Sequence, residues 1–164
     1  CGAVPGDYLG ICLETLNLLT MLEDPVLATR RLLPWVVTTH IKDGGLLLTA
    51  DGFVSFTAEA GKGVIDLAAV FETLAAVHPG ITLTVEDHGG DFLIPVNDPE
   101  FLARFPDLAV PELVRLLGLA FRTRELRDAG KLAVLPRDRW PAACEPRVKR
   151  DIQAVRRITG GGRE

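Results

Sequence analysis

The sequence predicts an α/β fold built on parallel strands, and three observations point to it. Three segments, Gly10-Ile11-Cys12-Leu13-Glu14, Val36-Val37-Thr38-Thr39-His40 and Thr82-Leu83-Thr84-Val85-Glu86, read as buried strands and each ends in a residue able to bind a metal ion. Stretches with helical spacing separate them. The runs Ile11-Cys12-Leu13 and Trp35-Val36-Val37 do not alternate, as expected of strands covered on both faces. Alternation of strand and helix makes the strands parallel and puts their carboxyl ends on one side of the sheet. Glu14, His40 and Glu86 would then meet there.

The first strand leads to Asp24-Pro25, a cap followed by proline at the first helical position, and Val26 to Leu33 continue as an amphipathic helix until Pro34. After the second strand, Ile41-Lys42-Asp43-Gly44-Gly45 reads as a turn. Leu46 to Phe56 reads as a hairpin centred on Ala50-Asp51-Gly52. A Gly61-Lys62-Gly63 loop precedes a helix over Leu67 to Val77, which Pro79-Gly80 ends before the third strand. Asp87-His88-Gly89-Gly90 forms a turn and Asp98-Pro99 opens a short helix. Pro111 to Ala129 is the longest helix, with Leu113, Leu116, Leu117, Leu119 and Ala120 on its apolar side. Trp140-Pro141 is expected in a loop before a final helix from about Pro146 to Ile158. Arg147, Lys149, Arg150, Arg156 and Arg157 would form its solvated face, and Gly160-Gly161-Gly162 a frayed end.

The chain has 164 residues, 48% of them hydrophobic, and a net charge of -4, enough apolar material for one core. Mild acidity argues against a nucleic-acid partner, whose phosphates call for a basic face. Cys1, Cys12 and Cys144 are too scattered for a disulfide framework or zinc knuckle, so a reducing, cytoplasmic location is expected. No apolar run reaches the roughly 18 to 20 residues of a membrane span, and no signal sequence is visible. A start at Cys1 without Met reads as a truncated beginning.

A carboxylate, an imidazole and a second carboxylate, without a thiolate, favour Mn²⁺, Mg²⁺ or Co²⁺ over a structural zinc. The heads of Glu14, His40 and Glu86 should lie within about 6 Å of one another, given metal-ligand distances of ~2.0 to 2.2 Å. The competing reading is that each residue marks only the point where a strand emerges into water. Asn17, Lys42 and Asp43 lie beside these positions and are expected to bind substrate. Cys12, on the face of Glu14, would line the interior as a small apolar group. Asp87 and His88 could support the site or simply belong to a loop. The amides of Gly61 and Gly63 could approach an anion, although paired glycines more often serve backbone conformation.

Taken together, Leu9 to Asn17, His40-Ile41-Lys42-Asp43, Gly61-Lys62-Gly63-Val64-Ile65-Asp66 and Leu83-Thr84-Val85-Glu86 resemble the C-terminal part of the sugar phosphate isomerase/epimerase family, the xylose-isomerase-like TIM barrels. The resemblance covers roughly residues 8 to 105. It implies the C-terminal three βα units of a (β/α)8 barrel over residues 1–130, followed by a loop and basic helical extension over 131–164. It also implies that Glu14, His40 and Glu86 are metal ligands, with Glu86 also a catalytic acid/base that moves a proton α to a carbonyl through an enediolate. A hydride shift on the same metal is the variant chemistry. Two positions depart from the family pattern: Glu14 stands where most members have Asp, and Lys62 where the glycine loop usually has Glu.

A complete barrel needs eight strands and typically about 250 residues. The resemblance therefore implies a C-terminal portion of a longer enzyme with a small carbohydrate substrate, or a chain completed by a partner or by homo-oligomerisation. Alone, such a piece should be inactive and should expose Leu113, Leu116 and Leu117. A metal-dependent phosphodiesterase of the endonuclease IV type, which needs more histidines, and a non-catalytic sugar-binding or structural remnant are the rival readings.

Overall fold

The computed structural model describes residues 9–160; Cys1 and the glycines at 161 and 162 lie outside them. Two three-stranded sheets share a core. The parallel sheet has the order β1 (Ile11–Glu14), β2 (Val36–Ile41), β5 (Leu83–Val85), and the antiparallel sheet the order β3 (Asp43–Thr49), β4 (Gly52–Ala58), β6 (Asp91–Ile94). The helices are α1 (Asn17–Thr20), α2 (Pro25–Leu32), α3 (Leu67–Val77), α4 (Pro99–Leu102), α5 (Val110–Asp128) and α6 (Trp140–Ile158).

Local chemistry explains where the helices begin. Asp24 accepts the amides of Val26 and Leu27, Pro25 occupies the first turn of α2, and Asp66 accepts the amide of Ala69 at the start of α3. Leu67, Val70, Phe71 and Leu74 recur at three- and four-residue spacing and are buried, so α3 turns one stripe to the core. With α2, which packs against β1 and α3, it belongs to the apolar cluster that contains Leu13, Val36 and Ile41.

The opposite face of the parallel sheet is open. Cys12, Thr38 and Thr84 are exposed and Val37 is 69% exposed, which corrects the expectation of strands covered on both faces and of Cys12 as an enclosed apolar group. Lack of alternation in a four-residue strand is a weak signal, because one bulge, here between Ile11 and Cys12, changes which face a residue joins.

Three further expectations are corrected. Asp43-Gly44-Gly45 belong to β3 rather than to a turn, and the glycines serve close approach. A Cβ at Gly44 would lie 2.2 Å from the Phe56 carbonyl oxygen, and one at Gly45 2.4 Å from Phe56 Cζ and 2.9 Å from Thr123 Cγ2. The leucines of α5 are packed: Leu116 is fully buried, and Leu113 and Leu117 join the core, in a helix that lies against β3. Val110, Val114 and Phe121 form the exposed apolar residues of α5 instead. Finally, α6 starts at Trp140, not Pro146. Pro141 fits its first turn, and the helix runs on through Pro146 although that residue lacks the amide that would reach back four residues and crowds the carbonyl there.

Candidate metal centre

Glu14 closes β1 directly opposite His40 in the parallel register. Glu86 follows β5, and its amide continues the pairing by donating to the Ile41 carbonyl at 3.1 Å. One ligand atom from each of Glu14, His40 and Glu86 falls within 4.8 Å of the others. An ion about 2.1 Å from each donor would hold adjacent donors roughly 3 Å apart and opposite ones about 4.2 Å apart, so the most widely spaced donors would have to draw together on binding. Glu86 Oε2 is enclosed and lies 2.8 Å from His40 Nδ1 without hydrogen-bond alignment. Adjacent ligands of an octahedral ion are about 3 Å apart with their lone pairs aimed at the ion rather than at each other. The donor set therefore fits a divalent cation.

Lys42 is only 4% exposed, and its ammonium is ion-paired with Glu14 and lies 3.3 Å from Glu86 Oε1. Expected among the substrate-binding groups, it bridges the two carboxylates. Thr15, which sequence reasoning missed, holds it there. The buried Thr15 hydroxyl donates to the Lys42 carbonyl and accepts the Lys42 amide at 2.9 Å. A threonine directly after a candidate ligand carries no signal in sequence.

Asp43 was also expected to bind substrate, but its carboxylate is enclosed and accepts four amides, from Gly44, Gly61, Gly63 and Ile65. The glycine loop thus wraps a side chain of this chain and not an external anion. Gly63 is required, since a Cβ there would lie 2.1 Å from Asp43 Oδ1. Burial pushes Asp43 up to about 6, against the pull of the four amides. Partial desolvation, with the Glu14 and Glu86 charges, raises the Cys12 thiol and keeps it protonated, which disfavours it as a ligand.

Asn17 is exposed at the start of α1. With Thr20, Ser55, Thr57, His88 and Arg137 it lines a cleft of about 270 Å³ whose walls include none of Glu14, His40 and Glu86. The Thr57 hydroxyl is buried there without a partner. A larger cavity, about 460 Å³, lies between β3 and α5 and holds none of the candidate residues. Asp87 and His88 separate in role. Asp87 is buried against Arg147 of α6, whereas His88 Nδ1 lies 2.7 Å from the Gly89 carbonyl and 3.3 Å from Arg137 Nη2. Arg147 is 8% exposed, which corrects its placement on a solvated face.

The fold and site define a mixed α/β protein with a Glu-His-Glu group at the carboxyl ends of a parallel sheet. Comparison with protein-family models and with curated proteins finds no match. Among solved structures, the chain is similar to the crystal structure of a xylose isomerase domain protein from Planctomyces limnophilus, with 22% identity and a TM-score of 0.45. The match covers 76% of this chain and 42% of that one, so the chain spans less than half of its length. Nothing about activity follows from a likeness of that size.

Proposed function

We propose that β1, β2 and β5 are three adjacent strands of a (β/α)8 barrel, completed by further strands of a longer chain or of a partner, whose mouth is the active site of a metal-dependent sugar isomerase or epimerase. The convergence of Glu14, His40 and Glu86 carries this reading. Glu14, His40 and Glu86 would hold Mn²⁺, Mg²⁺ or Co²⁺, and the ion supplies electrophilic stabilisation of the charge that develops when a proton α to a carbonyl is removed.

The chain's own residues do the rest. Glu86 takes the proton as the C–H bond breaks and returns it, or a base on the opposite face of the substrate returns it with inversion. In the metal-free chain Lys42 holds both carboxylates, and an incoming ion would take its place between them. Asn17, exposed at the start of α1 where it lines the cleft, would bind the sugar's hydroxyls. The endonuclease IV reading is disfavoured, because the metal-ligand group found among the described residues contains one histidine.

A second reading, a non-catalytic remnant, has one observation in its favour: the Lys42 ammonium already pairs with Glu14 and Glu86 without a metal. The test is solvent exchange. The complete protein, loaded with Mn²⁺ and incubated with a panel of ketoses and aldoses in D₂O, should incorporate deuterium α to the carbonyl of its substrate, and Glu86→Gln should abolish this. Turnover without deuterium incorporation would replace proton transfer with a hydride shift. Absence of both, with metal bound, would leave the remnant reading.

A further inference from the structure

The C-terminal helix α6 reaches the back of the site through a buried ion cluster. Arg147 Nη2 lies 2.7 Å from Asp87 Oδ2, and Arg147 Nε 3.2 Å from Asp151 Oδ2. All three side chains are at least nine-tenths buried. Asp151 in turn accepts the Ala60 amide at 2.8 Å. The same segment is fastened nearby by the Gly90 amide, which donates to the Leu135 carbonyl at 2.7 Å.

Successive residues of an extended strand point to opposite faces. Leu83 and Val85 line a groove with Val148, Ile152 and Val155 of α6, and Asp87 meets Arg147 of the same helix. Thr84 and Glu86 therefore take the other face, where Glu86 meets His40 and Lys42.

We propose that Arg147 is a positioning residue for Glu86: by holding Asp87 against α6 it fixes the rotation of the backbone at 85–87 and so the direction of the Glu86 carboxylate. The proposal rests on Glu86 being a ligand and base, as argued above. It makes α6, which lies outside the stretch resembling a known family, part of the site's supporting structure. The guanidinium donates to Asp151 through Nε and holds Asp87 by charge, since Nη2 and Oδ2 lie close without hydrogen-bond alignment.

The test compares Asp87→Asn with Asp151→Asn. Each removes one charge from the same buried cluster, but only the first frees the residue next to Glu86. Hydrogen exchange of the Glu86 amide, which donates to Ile41, is read by NMR on the full chain without metal. Asp87→Asn should accelerate it at least tenfold more than Asp151→Asn does, and Arg147→Lys, which keeps the charge but loses the fork, should fall between. Mn²⁺ affinity, read by electron paramagnetic resonance, should drop at least tenfold in Asp87→Asn and stay within twofold in Asp151→Asn. Equal exchange in the two Asn variants, or unchanged Glu86 protection in Asp87→Asn, would overturn the proposal. If the unmodified chain binds no Mn²⁺, the metal reading fails by itself and the exchange comparison still decides this one.

Discussion

Lys42 and Asp43 are neighbours with opposite duties. Lys42 places a buried ammonium between Glu14 and Glu86, so an incoming divalent ion meets a cation already there. Lys42→Met should therefore tighten Mn²⁺ binding by at least tenfold, since charges ~4 Å apart interact by up to a few kcal/mol and about 1.4 kcal/mol is tenfold, and lower the stability of the metal-free chain. Loss of stability with no change in metal affinity, read by calorimetric titration, would favour the remnant. Asp43 gives a pH prediction. Its carboxyl is raised to about 6 by burial, so the folded state binds the proton more tightly than the unfolded chain does. Its contribution to stability is fully present below the ordinary carboxylate range and is lost as pH rises through about 6. Relative to Asp43→Asn, the stability of the unmodified chain in urea should fall by roughly 2 to 3 kcal/mol between pH 4 and pH 7. A difference that grows with pH would mean that the four amides outweigh burial. Glu14, His40 and Glu86 were legible in the sequence because each ends a strand-like run, a signal that survives in one dimension. The ties of Lys42 to Thr15 and of Asp43 to the glycine loop depend on residues brought together only by folding.

At the scale of elements, the seam between β3 and α5 shows what a turn-like sequence conceals. Gly44-Gly45 reads as a turn, yet the pair lets β3 lie against Phe56 and Thr123, where the Thr123 hydroxyl accepts the Leu46 amide at 2.9 Å. Gly45→Ala should cost about 1 to 3 kcal/mol by forcing the ring and threonine apart. Thr123→Val should cost a similar roughly 1 to 3 kcal/mol by leaving a buried amide without an acceptor. Chemical unfolding of each variant measures both, and a cost below about 0.5 kcal/mol would show that the seam is loose. The helices α2, α3 and α5 were legible from apolar spacing, and α2 and α3 also from their aspartate caps. The strand β6 was not, because Asp91-Phe92-Leu93 are exposed and only pairing with β4 makes them a strand. The start of α6 was obscured by two prolines, of which the first suits a helix and the second is tolerated within it.

The whole molecule leaves one face of its parallel sheet open, and among the described residues neither edge strand, β1 or β5, pairs with a further strand. Among those residues, no helix is long and apolar enough to cross a membrane. Exposed edges and an apolar residue such as Val37 on the open face are surfaces that pair with other chains. Sedimentation velocity of the 164-residue chain should show association that increases with concentration, whereas a monomer at all concentrations would argue that the open face is the finished surface. The parallel arrangement was legible because strand and helix alternate; the open face was not, since four-residue strands are too short to declare which side is covered. The most direct test of the central claim is a crystal of the complete protein soaked in Mn²⁺ and measured at the manganese absorption edge. The account predicts an anomalous peak about 2.0 to 2.3 Å from donor atoms of Glu14, His40 and Glu86, with the Lys42 ammonium displaced from between the carboxylates. A peak elsewhere, or none while Lys42 still bridges Glu14 and Glu86, would contradict it.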